Sequence, residues 1–282
     1  MQLANKVALV TGSTRGIGNS LAYRLAREGA LVVINGTDSS TIKKAAEDIR
    51  HEGLKAIGIK GNVSTMEAGK ELVCSVLKEC GKIDILINNA GIVKDQLAIN
   101  MAAQEWNEVI DVNLTGTFSC ISPVLKDMKK RGEGGTIINV TSLAGLNGSF
   151  GQANYSAAKA GIVGLTWTLA EEVKKHGINV NAVAPAALTD MTRPIIKKVM
   201  RKAAEENTAF PDYWKIGTPE DAAEFMIQLA LDENKCITGQ IFSVNGTKIG
   251  LYEKPKQTIL SDRFNGEKNL KDLILLNCAE GE

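Results

Sequence analysis

Residues 6–26, KVALVTGSTRGIGNSLAYRLA, decide the fold class. Lys6 to Thr11 is a short β-branched run, Gly12, Gly16 and Gly18 follow at once, and Ile17, Leu21, Leu25 and Ala26 recur at helical spacing. Strand, glycine-rich turn and helix in that order make a cradle for phosphate. Glycine lets the backbone approach a pyrophosphate, and the helix start offers unpaired N–H groups and a partial positive charge. A glycine cluster alone usually just makes a turn; the flanking strand and helix turn this one into a dinucleotide site. Gly12, Ser13, Thr14, Arg15, Gly16, Ile17 and Gly18 are the candidate contacts.

Working outward, Leu31 to Asn35 reads as a second strand, where an acidic side chain would accept hydrogen bonds from a ribose 2′-hydroxyl. Asn35, Gly36 and Thr37 stand there instead. With no carboxylate to repel a 2′-phosphate and with Arg15 as a possible cationic partner, NADP is favoured over NAD. Asp38 is read as the cap of the next helix. A third strand, Ala56 to Lys60, ends at Gly61, Asn62 and Val63, and Ser64 is the expected cap of the helix after it. A fourth, Ile83 to Ile87, closes on Asn88, Asn89, Ala90 and Gly91, small enough to pass close to a ribose, with Asn side chains suited to pinning adjacent strands. Strands alternating with helices predict an α/β fold, a parallel sheet with helices on both faces and a ligand site at the carboxyl ends of the strands.

Residues 101–132 predict one long amphipathic helix containing Asn113, whose amide needs partners among apolar neighbours. Its basic end, Lys126, Lys129, Lys130 and Arg131, reads as a solvated terminus. Ser142 ends a β-rich run, TIINVTS, and Tyr155 lies thirteen residues later with Lys159 four beyond it. On a helix Tyr155 and Lys159 share a face, so a hydroxyl, a phenol and an ammonium can meet around one carbonyl or alcohol. The cation is expected to lower the phenol's pKa from about 10. Tyr-x-x-x-Lys by itself is more often a solvated helix pair; the surrounding motifs favour the site. Ile178 to Val183 and Gly239 to Asn245 predict the last two strands, with Pro185 to Thr189 at the end of the first of them. Residues 189–217, apolar at helical spacing and interleaved with Arg193, Lys197, Lys198, Arg201 and Lys202, read as a surface helix or as a lid. Thr218 and Pro219 open a last helix. In the tail, 251–282, Leu270, Leu273, Ile274, Leu275 and Leu276 suit a docked short helix.

Composition excludes several classes. With 33 Lys plus Arg against 32 Asp plus Glu, the net charge of +1 recruits neither nucleic acid nor an anionic membrane. No apolar run approaches a membrane span, and a cytoplasmic location is the default. Five scattered cysteines without a Cys-x-x-Cys pair indicate neither a disulfide framework nor a metal site. Two histidines and no Gly-x-Ser-x-Gly elbow weaken a serine-hydrolase reading.

TGSTRGIG, NNAG, Asn113, Ser142, Tyr155-x-x-x-Lys159, Pro185 and ITGQ at 237–240 together resemble the short-chain dehydrogenase/reductase family over roughly residues 4 to 250. The resemblance implies one Rossmann-type, doubly wound catalytic domain, 1–250, with a seven-stranded parallel sheet and a lid at about 189–217, followed by a tail extension. It implies that Tyr155 exchanges the proton, Ser142 positions the substrate oxygen, Lys159 binds the nicotinamide ribose, and Asn113 holds a relay water. NADP contacts are implied at the glycine loop, Asn35, Gly36, Thr37, Asn62, Val63, Asn89, Ala90, Gly91, Tyr155, Lys159, Pro185 and Thr189, together with a homotetramer or homodimer. GQANYSAAKAGIVGLT is similar to 3-oxoacyl-thioester reductases acting on acyl carrier protein or CoA; a dehydrogenase of a free polyol, sugar acid or cyclic alcohol, and a non-catalytic NADP-sensing regulator, are the alternatives. Two positions depart from the family pattern: Ala186 follows Pro185 where glycine is usual, and His176 stands where carrier-protein reductases often have Arg.

Overall fold

The computed structural model describes residues 1–257, of which Met1–Tyr252 form one compact unit. The expectation for Leu270 to Leu276 lies outside the described residues. The chain alternates β1 (Val7–Val10), α1 (Gly16–Arg27), β2 (Leu31–Gly36), α2 (Ser39–His51), β3 (Ala56–Lys60), α3 (Met66–Cys80) and β4 (Ile85–Asn88). Then come α4 (Ala103–Ile110), a π-helical turn (Asp111–Thr115), α5 (Gly116–Arg131), β5 (Gly135–Val140), α6 (Leu143–Asn147) and α7 (Ala153–Val173). β6 (Ile178–Ala186), α8 (Arg193–Glu205), α9 (Pro219–Gln228), β7 (Ile241–Asn245) and β8 (Lys248–Tyr252) complete it.

The strands lie in the order β3-β2-β1-β4-β5-β6-β7-β8. The first seven are parallel, and the chain's reversal of direction between β1 and β4 opens the crevice in which such sheets bind ligands. Alternate side chains of each strand enter opposite cores. Ala8, Val10, Val32 and Ile34 pack against α1, α2 and α9, whereas Leu9, Val33 and Leu86 pack against α3, α5 and α7. Neither face of these strands meets water, which is why they read as continuous apolar runs.

The sheet differs from the predicted seven strands by an eighth, β8, antiparallel to β7. Asn245-Gly246 starts the tight reversal, with Gly246 at φ +57° where a side chain is strained. Asp38 caps α2, its Oδ1 accepting from Thr41 N at 2.8 Å and from the Ser40 hydroxyl at 2.6 Å, which holds its carboxyl below the usual range. Thr218 caps α9 with Pro219 at its first position. The cap of α3 is Thr65, not Ser64: its hydroxyl reaches Ala68 N at 3.1 Å. Arg131 is not a solvated charge either. Its guanidinium donates to Asp127 at 2.9 Å, Glu133 at 2.7 Å and Ile83 O at 2.6 Å, and lies 3.3 Å from Asp84, whose other oxygen accepts from Val7 N. The last turn of α5 is thereby tied to the start of β1.

The long helix predicted over 101–132 is interrupted. Gly116 N bonds to Asp111 O, the wide spacing of a π turn, and Asn113 sits inside that turn, fully buried. Its Nδ2 donates to Val109 O at 2.9 Å, taking the carbonyl that a regular helix would give to Asn113 N. Among the described residues no helix is long and apolar enough to cross a membrane.

Candidate active site

The site forms at the carboxyl ends of β1, β4, β5 and β6. Gly12, at φ +61°, passes so near β4 that an added Cβ would stand 2.8 Å from Ala90 Cα, and one on Gly18 would stand 2.6 Å from Gly12 O. Three polar side chains hold this turn in place. Asn89 Nδ2 donates to Thr11 O at 3.0 Å and Gly12 O at 2.9 Å. Ser13 Oγ donates to Val10 O at 2.7 Å and accepts from Asn35 N at 3.0 Å. Asn35 Nδ2 donates to Ile59 O and Gly61 O, while its Oδ1 faces Gly12 N at 3.4 Å.

The sequence-derived contacts therefore divide in two. Ser13, Asn35 and Asn89 shape the cradle with their side chains, and Val63 is buried in the core with its carbonyl accepting from Ser119. Thr14, Arg15, Gly36, Thr37 and Asn62 line the outside of the turn and the ends of β2 and β3. Thr14 Cγ2 lies 3.0 Å from where a Gly36 Cβ would be, which brings the glycine loop and the end of β2 together. Arg15, 81% exposed, lies 3.8 Å from Asp190. Thr189 packs beside Gly16, and Pro185, next to last in β6, pairs with Val244 of β7.

Ser142, Tyr155, Lys159 and Asn113 converge from three elements. Ser142 caps α6, its Oγ accepting from Ala144 N at 3.2 Å, and also hydrogen-bonds the Tyr155 phenol. Tyr155 is in the first turn of α7, with Lys159 Nζ 5.6 Å from its ring centroid. Lys159 is buried and donates to Val140 O at 2.8 Å. Gly91 joins the two halves of the site: a Cβ there would stand 2.7 Å from Asn113 Oδ1 and 3.7 Å from Lys159 Nζ. Asn113 Nδ2 is committed to Ile92 O and Val109 O, and its Oδ1 is buried without a protein partner. An unpaired buried acceptor beside a buried ammonium suits a relay water.

The electrostatics differ from the expectation that Lys159 lowers the Tyr155 pKa. Burial pushes the phenol up to about 12, against a lowering by the Ser142 hydrogen bond and with a further rise from the Asp95 carboxylate. Burial pushes Lys159 down to about 7. Both groups lose hydration, and in both the neutral form gains.

Asn154 was not singled out by the sequence. It is fully buried, donates to Lys94 O at 3.0 Å and Glu105 O at 3.1 Å, and accepts from Tyr155 N at 2.7 Å, fixing the turn that carries the phenol. Its only signal was a polar residue directly before Tyr155.

The family model for short chain dehydrogenase matches residues 6–199. The chain belongs to the short-chain dehydrogenase family. This short-chain dehydrogenase is 43% identical over 250 residues to a 3-oxoacyl-[acyl-carrier-protein] reductase of Staphylococcus epidermidis, covering 88% of the chain and 99% of the relative. It is 44% identical over 247 residues to that of Synechocystis sp., covering 86% and 97%. A solved short chain dehydrogenase from Mycobacterium avium superposes with a TM-score of 0.82 at 32% identity, covering 99% of this chain and 95% of that one. The short-chain dehydrogenase is thus an oxidoreductase acting on CH–OH and keto groups with a nicotinamide cofactor. The cradle fits that cofactor: Gly12, Gly18 and Gly91 lie where side chains would collide with backbone or with Asn113, and the start of α1 faces it with no side-chain cap.

Proposed function

We propose that this short-chain dehydrogenase reduces the 3-keto group of an acyl thioester, carried on acyl carrier protein or CoA, to a secondary alcohol with NADPH. The observation that carries this reading is the convergence of Ser142, Tyr155 and Lys159 behind Gly91, in a chain similar over most of its length to 3-oxoacyl-thioester reductases. When bound, the nicotinamide nucleotide supplies a hydride to the carbonyl carbon. The Ser142 hydroxyl orients the carbonyl oxygen, and the Tyr155 phenol gives that oxygen its proton. A phenol at about 12 is protonated at neutral pH and so holds the proton that reduction consumes. Asn113 Oδ1 and the Lys159 ammonium hold the water that restores it. The purified protein should reduce a 3-oxoacyl-CoA with NADPH far faster than it reduces an uncharged cyclic ketone or oxidises a polyol. The reverse ranking favours the free-alcohol dehydrogenase.

NADP preference rests on exposed Thr37 just past the end of β2 and on exposed Arg15 in the glycine loop, with the carboxylate next to Thr37 in the chain, Asp38, committed to capping α2. Thr37→Asp sets a carboxylate against the 2′-phosphate, and the ratio of kcat/KM for NADPH over NADH should fall by about tenfold or more. A wild type that already prefers NADH would refute this reading.

The lid supports a charged thioester. α8 buries Ile196 and Ala203, half-buries Ile195 and Val199, and exposes Lys197, Lys198, Arg201 and Lys202. An apolar inner face suits an acyl chain and outer cations suit phosphate. Replacing the four cations by Gln should raise KM for an acyl-CoA several-fold at low salt and leave KM for a small uncharged ketone unchanged. Equal effects on both substrates, or none, would remove the phosphate contact.

A further inference from the structure

Two buried side-chain amides grip the same two segments. Asn113 Nδ2 donates to Ile92 O in the loop after β4 and to Val109 O in α4, both at 2.9 Å. Asn154 Nδ2 donates to Lys94 O in that loop at 3.0 Å and to Glu105 O in α4 at 3.1 Å. The loop carbonyls belong to residues two apart, and the α4 carbonyls are one helical turn apart. Neighbouring carbonyls on both segments are thus taken up by two separate amides. One amide carries the relay, since Asn113 Oδ1 is left buried without a protein partner. The other carries the phenol, since Asn154 Oδ1 accepts from Tyr155 N at 2.7 Å. We propose that Asn154 is a positioning residue that holds the Tyr155 phenol in register with Asn113, through the two segments both amides share, and that proton delivery to the phenol depends on it.

The residue type suits this role. An amide offers two N–H donors and a carbonyl acceptor, and fully buried Asn154 uses all three. Gln152, at the start of α7, gives no side-chain cap, and Tyr155 N takes its partner from Asn154 instead. Capping alone would need only an acceptor; the two donors reach outward to other elements. Those elements have further ties of their own. The Asn113 amide spans them, and Lys94 Nζ in the loop is paired with Glu108 in α4 at 3.0 Å. Loss of the Asn154 donors therefore leaves the loop joined to α4 and frees the first turn of α7, which bears the phenol.

The inference rests on Tyr155 and Asn113 acting as in the proposed function. Asn154→Asp keeps an acceptor for Tyr155 N and sets an oxygen against the carbonyls of Lys94 and Glu105. Burial and those carbonyls favour the protonated acid, which can donate to one of them. The ratio of variant to wild-type kcat for ketone reduction should therefore fall about ten- to hundredfold as pH rises from about 6 to about 8. Over that range, Kd for the reduced nicotinamide cofactor by fluorescence titration, and KM for the ketone, should stay within about twofold of wild type. The solvent deuterium isotope effect on kcat should rise as proton delivery slows. Asn154→Ala, shown by circular dichroism to be folded at the assay temperature, should have the low kcat and the raised isotope effect at every pH. A constant kcat ratio in Asn154→Asp, an unchanged isotope effect in Asn154→Ala, or cofactor affinity lost in step with kcat overturns the proposal. Failure of both variants to fold does so too, because it makes Asn154 a residue of stability alone. Undiminished turnover in Tyr155→Phe would instead defeat the proposed function.

Discussion

Replacing Tyr155 by Phe should lower kcat by at least about 10²- to 10⁴-fold, the range ascribed to a positioned general acid, with affinity for the nicotinamide cofactor little changed. The substitution keeps the ring, and with it the packing of the first turn of α7 and the 5.6 Å approach of Lys159. What disappears is the exchangeable proton and the hydrogen bond with Ser142. Steady-state kinetics and cofactor fluorescence titration on the same preparation separate the two effects: an equal fall in kcat and kcat/KM marks loss of an interaction made in the transition state. Near wild-type turnover would take Tyr155 out of the mechanism.

Lys159→Met should be as costly to turnover, about 10²-fold or more, and it should also change how stability depends on pH. The Lys159 pKa falls from 10.5 to about 7 on folding, so between those values the unfolded chain binds a proton that the folded protein does not. Wild-type stability therefore rises with pH across that window. Below pH 7 the ammonium is charged in both states and the cost of burying it is present in full. Methionine has no proton to bind, so Lys159→Met lacks this slope. Urea unfolding at pH 6.5 and 9.5 should show wild type gaining on the variant as pH rises. Parallel pH dependence in the two proteins would show that Lys159 is not desolvated.

The parts of this molecule that are legible in the sequence are those whose physics is local. The glycine loop, the strand runs, the Asp38 and Thr218 caps and the pair Tyr155 and Lys159 all depend on neighbours within a turn or two. The features that escaped are set by distant neighbours. The apolar spacing of Val109, Ile110, Val112, Leu114 and Phe118 continues across Asn113, and nothing in it reveals that the Asn113 amide is held by Ile92 O, twenty-one residues away, within a π turn. Arg131 resembles any basic helix end until Asp84, forty-seven residues away, meets it. The direction of the Tyr155 shift is not legible in the sequence, because Lys159 is visible four residues on whereas the burial that raises the phenol comes from the assembled site. The hairpin to β8 is a different case, since Asn245-Gly246 is a recognisable turn that the strand count passed over.

The π turn at Asp111–Thr115 means that the chain between α4 and α5 contains one residue more than a regular helix would need. Selection on stability alone would remove it, restoring an unbroken backbone ladder and turning Asn113 away from Gly91, beside which its unpaired oxygen now lies. On the proposed mechanism, selection on turnover would keep it. The five residues 111–115 are therefore a place where shortening the chain by one residue and substituting one residue for another have opposite meanings, and where a gap in an aligned relative would say more about its chemistry than a changed side chain.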